Sequence, residues 1–166
     1  TADGFAGGTT ITMPTVATGG ALTVTHAPAA SAPLGSGVNA ADLTIVQSGA
    51  STADAVTLSL GARSTGTLLG DIVASNTDTF TISSAAAAAS TTTIDDVTIA
   101  SGAGTQSIIV SGAGAFSLGD LNAETVSTAG AVGAVSITSL TNAVGSTTFT
   151  GGVGATTITT TGAANV

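Results

Sequence analysis

The sequence predicts an all-β chain wound as a parallel β-solenoid of short strands, with almost no helix. Three observations carry that expectation. Short runs that alternate an apolar residue with Thr or Ser recur about every ten residues, the period-two pattern of a strand with one buried face. Gly-Ala-Gly, Gly-Gly-Val-Gly and Asn-Ala segments punctuate them where turns are needed. The residues available for an interior are small, since aromatics are 2% and Trp and Tyr are absent. An antiparallel β-sandwich is the alternative. It would call for longer strands and Asn-Gly or Asp-Gly hairpins, which the repetitive part lacks.

Taken in order, the early candidate strands are Thr10-Ile11-Thr12, Leu22-Thr23-Val24, Leu43-Thr44-Ile45-Val46 and Val56-Thr57-Leu58-Ser59-Leu60. More evenly spaced runs follow, around Phe80-Thr81-Ile82, Val97-Thr98-Ile99, Ile108-Ile109-Val110 and Phe116-Ser117-Leu118. The last are Val135-Ser136-Ile137, Thr148-Phe149-Thr150 and Thr157-Ile158-Thr159. The run from Ala85 to Ala89 is the one strong helix-former stretch, and it is far below the ~12 residues an isolated helix needs. It reads as a corner between coils. Residues 1–41 hold all three prolines (Pro14, Pro28, Pro33) and read as a looser β segment or cap, while 42–166 read as the repetitive solenoid.

Composition excludes several function classes. One Lys-or-Arg (Arg63) against nine Asp-or-Glu gives a net charge of −8, too few cations to neutralise nucleic-acid phosphates or bind anionic lipid. Without cysteine there is no disulfide framework and no thiolate chemistry. Hydrophobic residues at 43% and a mean hydropathy of +0.59 argue against disorder, and no apolar run approaches the ~20 residues of a membrane span. Thr1-Ala2-Asp3-Gly4 has no charged leader pattern, so the chain reads as mature or as part of something longer. His26 has no carboxylate beside it in sequence, and one Arg with no Trp or Tyr leaves little for a sugar-cleaving groove. An enzyme is not expected.

The acidic residues carry what site chemistry there is. A single Arg cannot pair with nine carboxylates, so they are solvated, cap turns or bind cations. The candidate metal ligands are Asp95 and Asp96, the densest pair; Asp71 and Asp78, which flank a loop with Asn76, whose carbonyl is another hard ligand; and Asp120 with Glu124, which share a face with Asn122 if the stretch is extended. The four Phe residues (Phe5, Phe80, Phe116, Phe149) read as core fillers.

Residues 151–159, Gly-Gly-Val-Gly-Ala-Thr-Thr-Ile-Thr, are similar to the calcium-binding nonapeptide of RTX proteins, G-G-x-G-x-D-x-U-x. Thr156 stands where that motif has its Asp ligand, which keeps the fold expectation and removes the carboxylate at this repeat. Across 42–166, stretches such as 91–100, 108–114 and 135–142 resemble bacterial surface-layer (S-layer) proteins exported by type I secretion. The resemblance implies an extracellular, calcium-binding structural protein at the bacterial cell surface. Its partners would be copies of itself in a lattice or filament, with cell-surface polysaccharide as a further partner. Calcium (Ca²⁺) would offset the negative charge where copies meet, and open solenoid ends favour head-to-tail contact. Two alternatives stand beside it: an adhesin spacer, and an ice-binding protein using a Thr ladder built from Thr-x-Thr pairs such as Thr79/Thr81 and Thr148/Thr150. The ladder requires a constant register between coils.

Overall fold

The computed structural model describes residues 9–13, 21–26, 42–47, 53–60, 67–85, 88, 90–100, 104–142 and 145–159. Alternating apolar and hydroxyl residues form fifteen strands there: β1 (Thr9–Met13), β2 (Ala21–His26), β3 (Leu43–Gln47), β4 (Ala55–Leu60), β5 (Thr67–Leu69), β6 (Ile72–Ser75), β7 (Thr79–Ser84), β8 (Thr91–Ile94), β9 (Val97–Ala100), β10 (Ser107–Gly112), β11 (Ala115–Asn122), β12 (Thr125–Ala131), β13 (Val135–Thr141), β14 (Thr148–Thr150) and β15 (Thr156–Ile158). No helix occurs among the described residues.

Strands pair with those one coil away, not with their neighbours in sequence. One sheet has the order β14-β12-β10-β7-β4-β2. The other runs β1-β3-β6-β9-β11-β13-β15, with β5 and β8 joining it beside β11. Every pairing is parallel. Parallel neighbours cannot be joined by hairpins, so the fold is a β-solenoid and the antiparallel sandwich is excluded. Two strands within 1–41, β1 and β2, pair with β3 and β4 and so extend the same two sheets. The prolines lie outside the described residues, as do Ala86, Ala87 and Ala89 of the alanine run.

The coils described through β5 and β6, β8 and β9, β11 and β13 have three sides, because the second sheet turns a corner within itself. In β11 the inward residues are Phe116 and Leu118, then Leu121. In β13 they are Val135 and Ile137, then Leu140. A step of three in place of two breaks the alternation and marks a change of direction. In the preceding coil the chain breaks there, at Asp95-Asp96 between β8 and β9. Gly119 sits at this corner on the next coil, and a Cβ on it would run into the backbone carbonyl of Asp95.

The core is a set of columns of like residues. Val56, Phe80, Ile108, Val126 and Phe149 stack in register, and Leu58, Ile82 and Val110 form the column beside them. On the second sheet Leu43, Ile72, Val97, Leu121 and Leu140 do the same. Phe80 and Phe116 are the largest fully buried side chains, as expected for core fillers. Each fully buried aliphatic or aromatic side chain contributes roughly 1.5–3 kcal/mol. Four strands were not expected from sequence. Strand β12 reads Thr-Val-Ser-Thr-Ala-Gly-Ala and places Thr128 inward, so only Val126 signals its face. Strand β5 reads Thr-Leu-Leu, β6 carries Val73 outward between Ile72 and Ala74, and β8 places Thr92 inward, so none shows the apolar and hydroxyl alternation.

Phe80→Ala is expected to lower stability by about 3–5 kcal/mol in denaturant unfolding. Gly119→Ala is expected to cost about 2–3 kcal/mol, although it adds one methyl group, because the backbone it meets cannot move aside.

Candidate functional site

The acidic residues sort by register into two columns that run along the stacking direction. Asp42, Asp71, Asp96 and Asp120 occupy one position, just ahead of the paired residues Leu43, Ile72, Val97 and Leu121, and Ser139 continues it. Asp54, Asp78, Gln106, Glu124 and Thr147 occupy another, just ahead of the first residues of β4, β7, β10, β12 and β14. The first column lies at the corner inside the second sheet. The second lies where the chain passes from that sheet to the first.

A carboxylate suits these corners because the backbone there leaves the ladder and its N–H groups need acceptors. Asp42 Oδ1 accepts from the N–H of Asp71 at 3.1 Å, and Asp96 Oδ1 from the N–H of Asp120 at 2.7 Å. In the second column Asp78 is buried and accepts from the N–H of Asp54 and of Gly104, each at 2.9 Å. The backbone carbonyl of Asp54 in turn accepts from the N–H groups of Asp78 and Thr79. Beside them Gln47 donates to Thr77 Oγ1 at 3.0 Å, and Asn76, in a left-handed conformation (φ 55°), donates to the Gln47 carbonyl at 2.6 Å.

Stacking like charges has an electrostatic consequence. Partial burial, then the charges of Asp96, Asp42 and Asp95, push the Asp71 carboxyl above its ordinary value of 3.8. Partial burial and Asp96 push Asp120 the same way, against a hydrogen bond from Thr141. Asp120 Oδ1 is buried with no hydrogen-bond partner.

The structure therefore brings together four of the six candidate ligands, Asp71, Asp95, Asp96 and Asp120, at one corner, and puts Asp78 and Glu124 at the other. Asp71 and Asp78 do not share a loop, because β6 lies between them. Asp120 and Glu124 do not share a face, because the chain bends at Ala123-Glu124 before β12. Asn76 spends its amide on Gln47. Among the described residues no group of three or more His, Asp or Glu side chains converges as a metal centre. Arg63 lies outside the described residues, as does Phe5.

Asp42 and Asp54 are column members outside the six candidate ligands, since neither has an acidic neighbour in sequence. A signal was present: Asp stands directly before an aliphatic residue in Asp42-Leu43, Asp71-Ile72, Asp96-Val97 and Asp120-Leu121. An acid stands two before an apolar residue in Asp54-Ala55-Val56, Asp78-Thr79-Phe80 and Glu124-Thr125-Val126.

The glycine-rich motif is one of three stacked turns, each Gly-Ala followed by inward, outward and inward residues. Phe116, Val135 and Thr156 align, as do Leu118, Ile137 and Ile158. Thr156 thus occupies the column of buried Phe116 and Val135, and its Oγ1 is buried without a partner. A Cβ on Gly133 or Gly154 would strike the carbonyl of the glycine one coil back. No family model, curated protein or solved structure matches the chain.

Asp78→Ala strands two backbone donors at a buried corner and is expected to cost roughly 2 kcal/mol or more, read from chemical denaturation. The raised carboxyls set a pH dependence. As pH falls toward the ordinary carboxylate value, the folded chain takes up protons on Asp71 and Asp120 before the unfolded chain does, so their contribution to stability rises as pH falls. Asp120→Asn is expected to flatten that part of the stability profile, measured as melting temperature against pH.

Proposed function

We propose that the chain is a structural, self-associating unit of an extracellular bacterial surface layer or filament, with no catalytic role. The observation that supports this reading best is the pair of acidic columns, which run along a stiff parallel stack instead of converging on a pocket. Stacked strands make a rod whose backbone is internally hydrogen-bonded, and such repeats extend by adding like units. Net charge of −8 opposes close approach of copies, and divalent cations relieve that repulsion. Calcium would sit against the corner column, where the exposed carboxylates of Asp71, Asp95 and Asp96 offer hard oxygens. Water and carboxylates of another copy would complete its shell. Cell-surface polysaccharide is a further partner of this reading, and an adhesin spacer is its variant in the same compartment. Negative-stain electron microscopy with calcium, then with EGTA, tests it. Sheets or filaments that dissolve in chelator are expected, and monomers under both conditions would overturn it.

A second reading, an ice-binding surface, gains from one observation: the register across the first sheet is constant enough for a ladder. Thr79, Ser107, Thr125 and Thr148 form one outward column, and Thr57, Thr81, Ile109, Ser127 and Thr150 the next. Ile109 interrupts the hydroxyls. Thermal hysteresis of the purified protein is the test, and a freezing point equal to the melting point would dismiss it.

A further inference from the structure

The described carboxylates all lie on one side of the molecule. Asp42, Asp71, Asp95, Asp96 and Asp120 stand at one corner, and Asp54, Asp78 and Glu124 at the next. Both corners border the face made by β1, β3, β6, β9 and the C-terminal halves of β11 and β13. The third corner, between the first sheet and the N-terminal halves of β11 and β13, is different in the last three coils. There it consists of Ala113-Gly114, Val132-Gly133-Ala134 and Gly151-Gly152-Val153-Gly154-Ala155, with no charged residue.

This corner also carries two of the three exposed large hydrophobic residues among those described. Val132 is 64% exposed and Val153 is 85% exposed. The pairing of Val135 with Thr156 sets them at the same position on adjacent coils, so they form a short apolar ridge with exposed Ala113. The flanks are uncharged too: Ser107, Ile109, Ser127 and Thr150 on one side, exposed Ser117, Ser136 and Thr157 on the other. No turn requirement explains the valines, since Ala113 fills the same position one coil earlier.

We infer that this valine corner is the surface through which a second copy of the chain docks side by side, independently of calcium. The charge distribution selects that occupant. A basic partner would be drawn to the acidic side, and two copies that each carry −8 repel unless they meet on the side without carboxylates. The inference rests on the self-association reading and deepens it, because that reading gives the acidic side a calcium-dependent contact and this one gives the opposite corner a calcium-free contact. Two kinds of contact per copy are what a lattice needs. The ridge spans three coils about 4.8 Å apart, roughly 10 Å along the stack, too short to bury the about 800 Å² per partner of a standard stable interface. A single contact is therefore weak.

The chain contains no cysteine, so Val153→Cys, Val132→Cys and, on the acidic side, Val73→Cys each supply one thiol. Each folded variant, checked by circular dichroism, is treated with a short bis-maleimide in EGTA, alongside sedimentation of the wild type. Covalent dimers from Val153→Cys or Val132→Cys at least tenfold faster than from Val73→Cys are expected, and Val132→Asp with Val153→Asp should weaken sedimenting dimers at least tenfold. Equal crosslinking at all three positions, while the wild type still self-associates, would overturn the valine corner and leave the assembly reading standing. A wild type that stays monomeric at every concentration, with and without calcium, would sink both.

Discussion

Everything in this molecule follows from parallel pairing of each strand with its counterpart one coil away. Strands so paired lie about 4.8 Å apart, so a paired residue of an inner strand has near neighbours above and below at its own position. Apolar residues profit from this: Val56, Phe80, Ile108 and Val126 bury one another in a continuous column. Hydroxyl residues tolerate it on the outside. Glycines are forced by it where turns stack, since a side chain at Gly133 or Gly154 would occupy the backbone of the coil below. Carboxylates are strained by it: partial burial first, then the charges of neighbours in the column, push the Asp71 and Asp120 carboxyls above their ordinary value.

The acidic columns are then a compromise between two local demands. At each corner the backbone leaves the ladder and its N–H groups want an anionic acceptor, which Asp42, Asp96 and Asp78 provide. Repeating that solution coil after coil lines the acceptors up and accumulates charge. The column at Asp96 and Asp120 is a structural device whose by-product is an anionic line along the stack. A protein of this kind has a chemical side and an inert side, and the assembly reading uses that difference: repulsion relieved by cations on one, apolar contact on the other.

Much of the fold was legible because columns require like residues at like positions, which leaves repetition in the sequence. Runs such as Phe80-Thr81-Ile82 and Val135-Ser136-Ile137 declared both a strand and its buried face. Strand β12 did not, because Thr128 takes an inward position with no apolar signature, and β6 did not, because Val73 puts an apolar residue outward between inward Ile72 and Ala74. The corner inside the second sheet was invisible as a corner: Leu118 and Leu121 look like a lapse in alternation until the chain is seen to turn. For the site, proximity in sequence misled. Asp120 and Glu124 are near neighbours in the chain but belong to different corners, whereas Asp96 and Asp120, 24 residues apart, are joined by a hydrogen bond. The informative signal was position relative to the following strand, with Asp before Leu43, Ile72, Val97 and Leu121.

The in-register column is the claim on which the carboxylate alignment, the stacked turns and both proposed contacts depend. Nuclear Overhauser contacts in the isotopically labelled protein address it directly. Val56 side-chain protons are expected to contact Phe80, Phe80 to contact Ile108, and Ile108 to contact Val126, each pair one coil apart. Contacts linking β7 to β8 or β12 to β13 as antiparallel neighbours, without those column contacts, would contradict the solenoid and everything built on it.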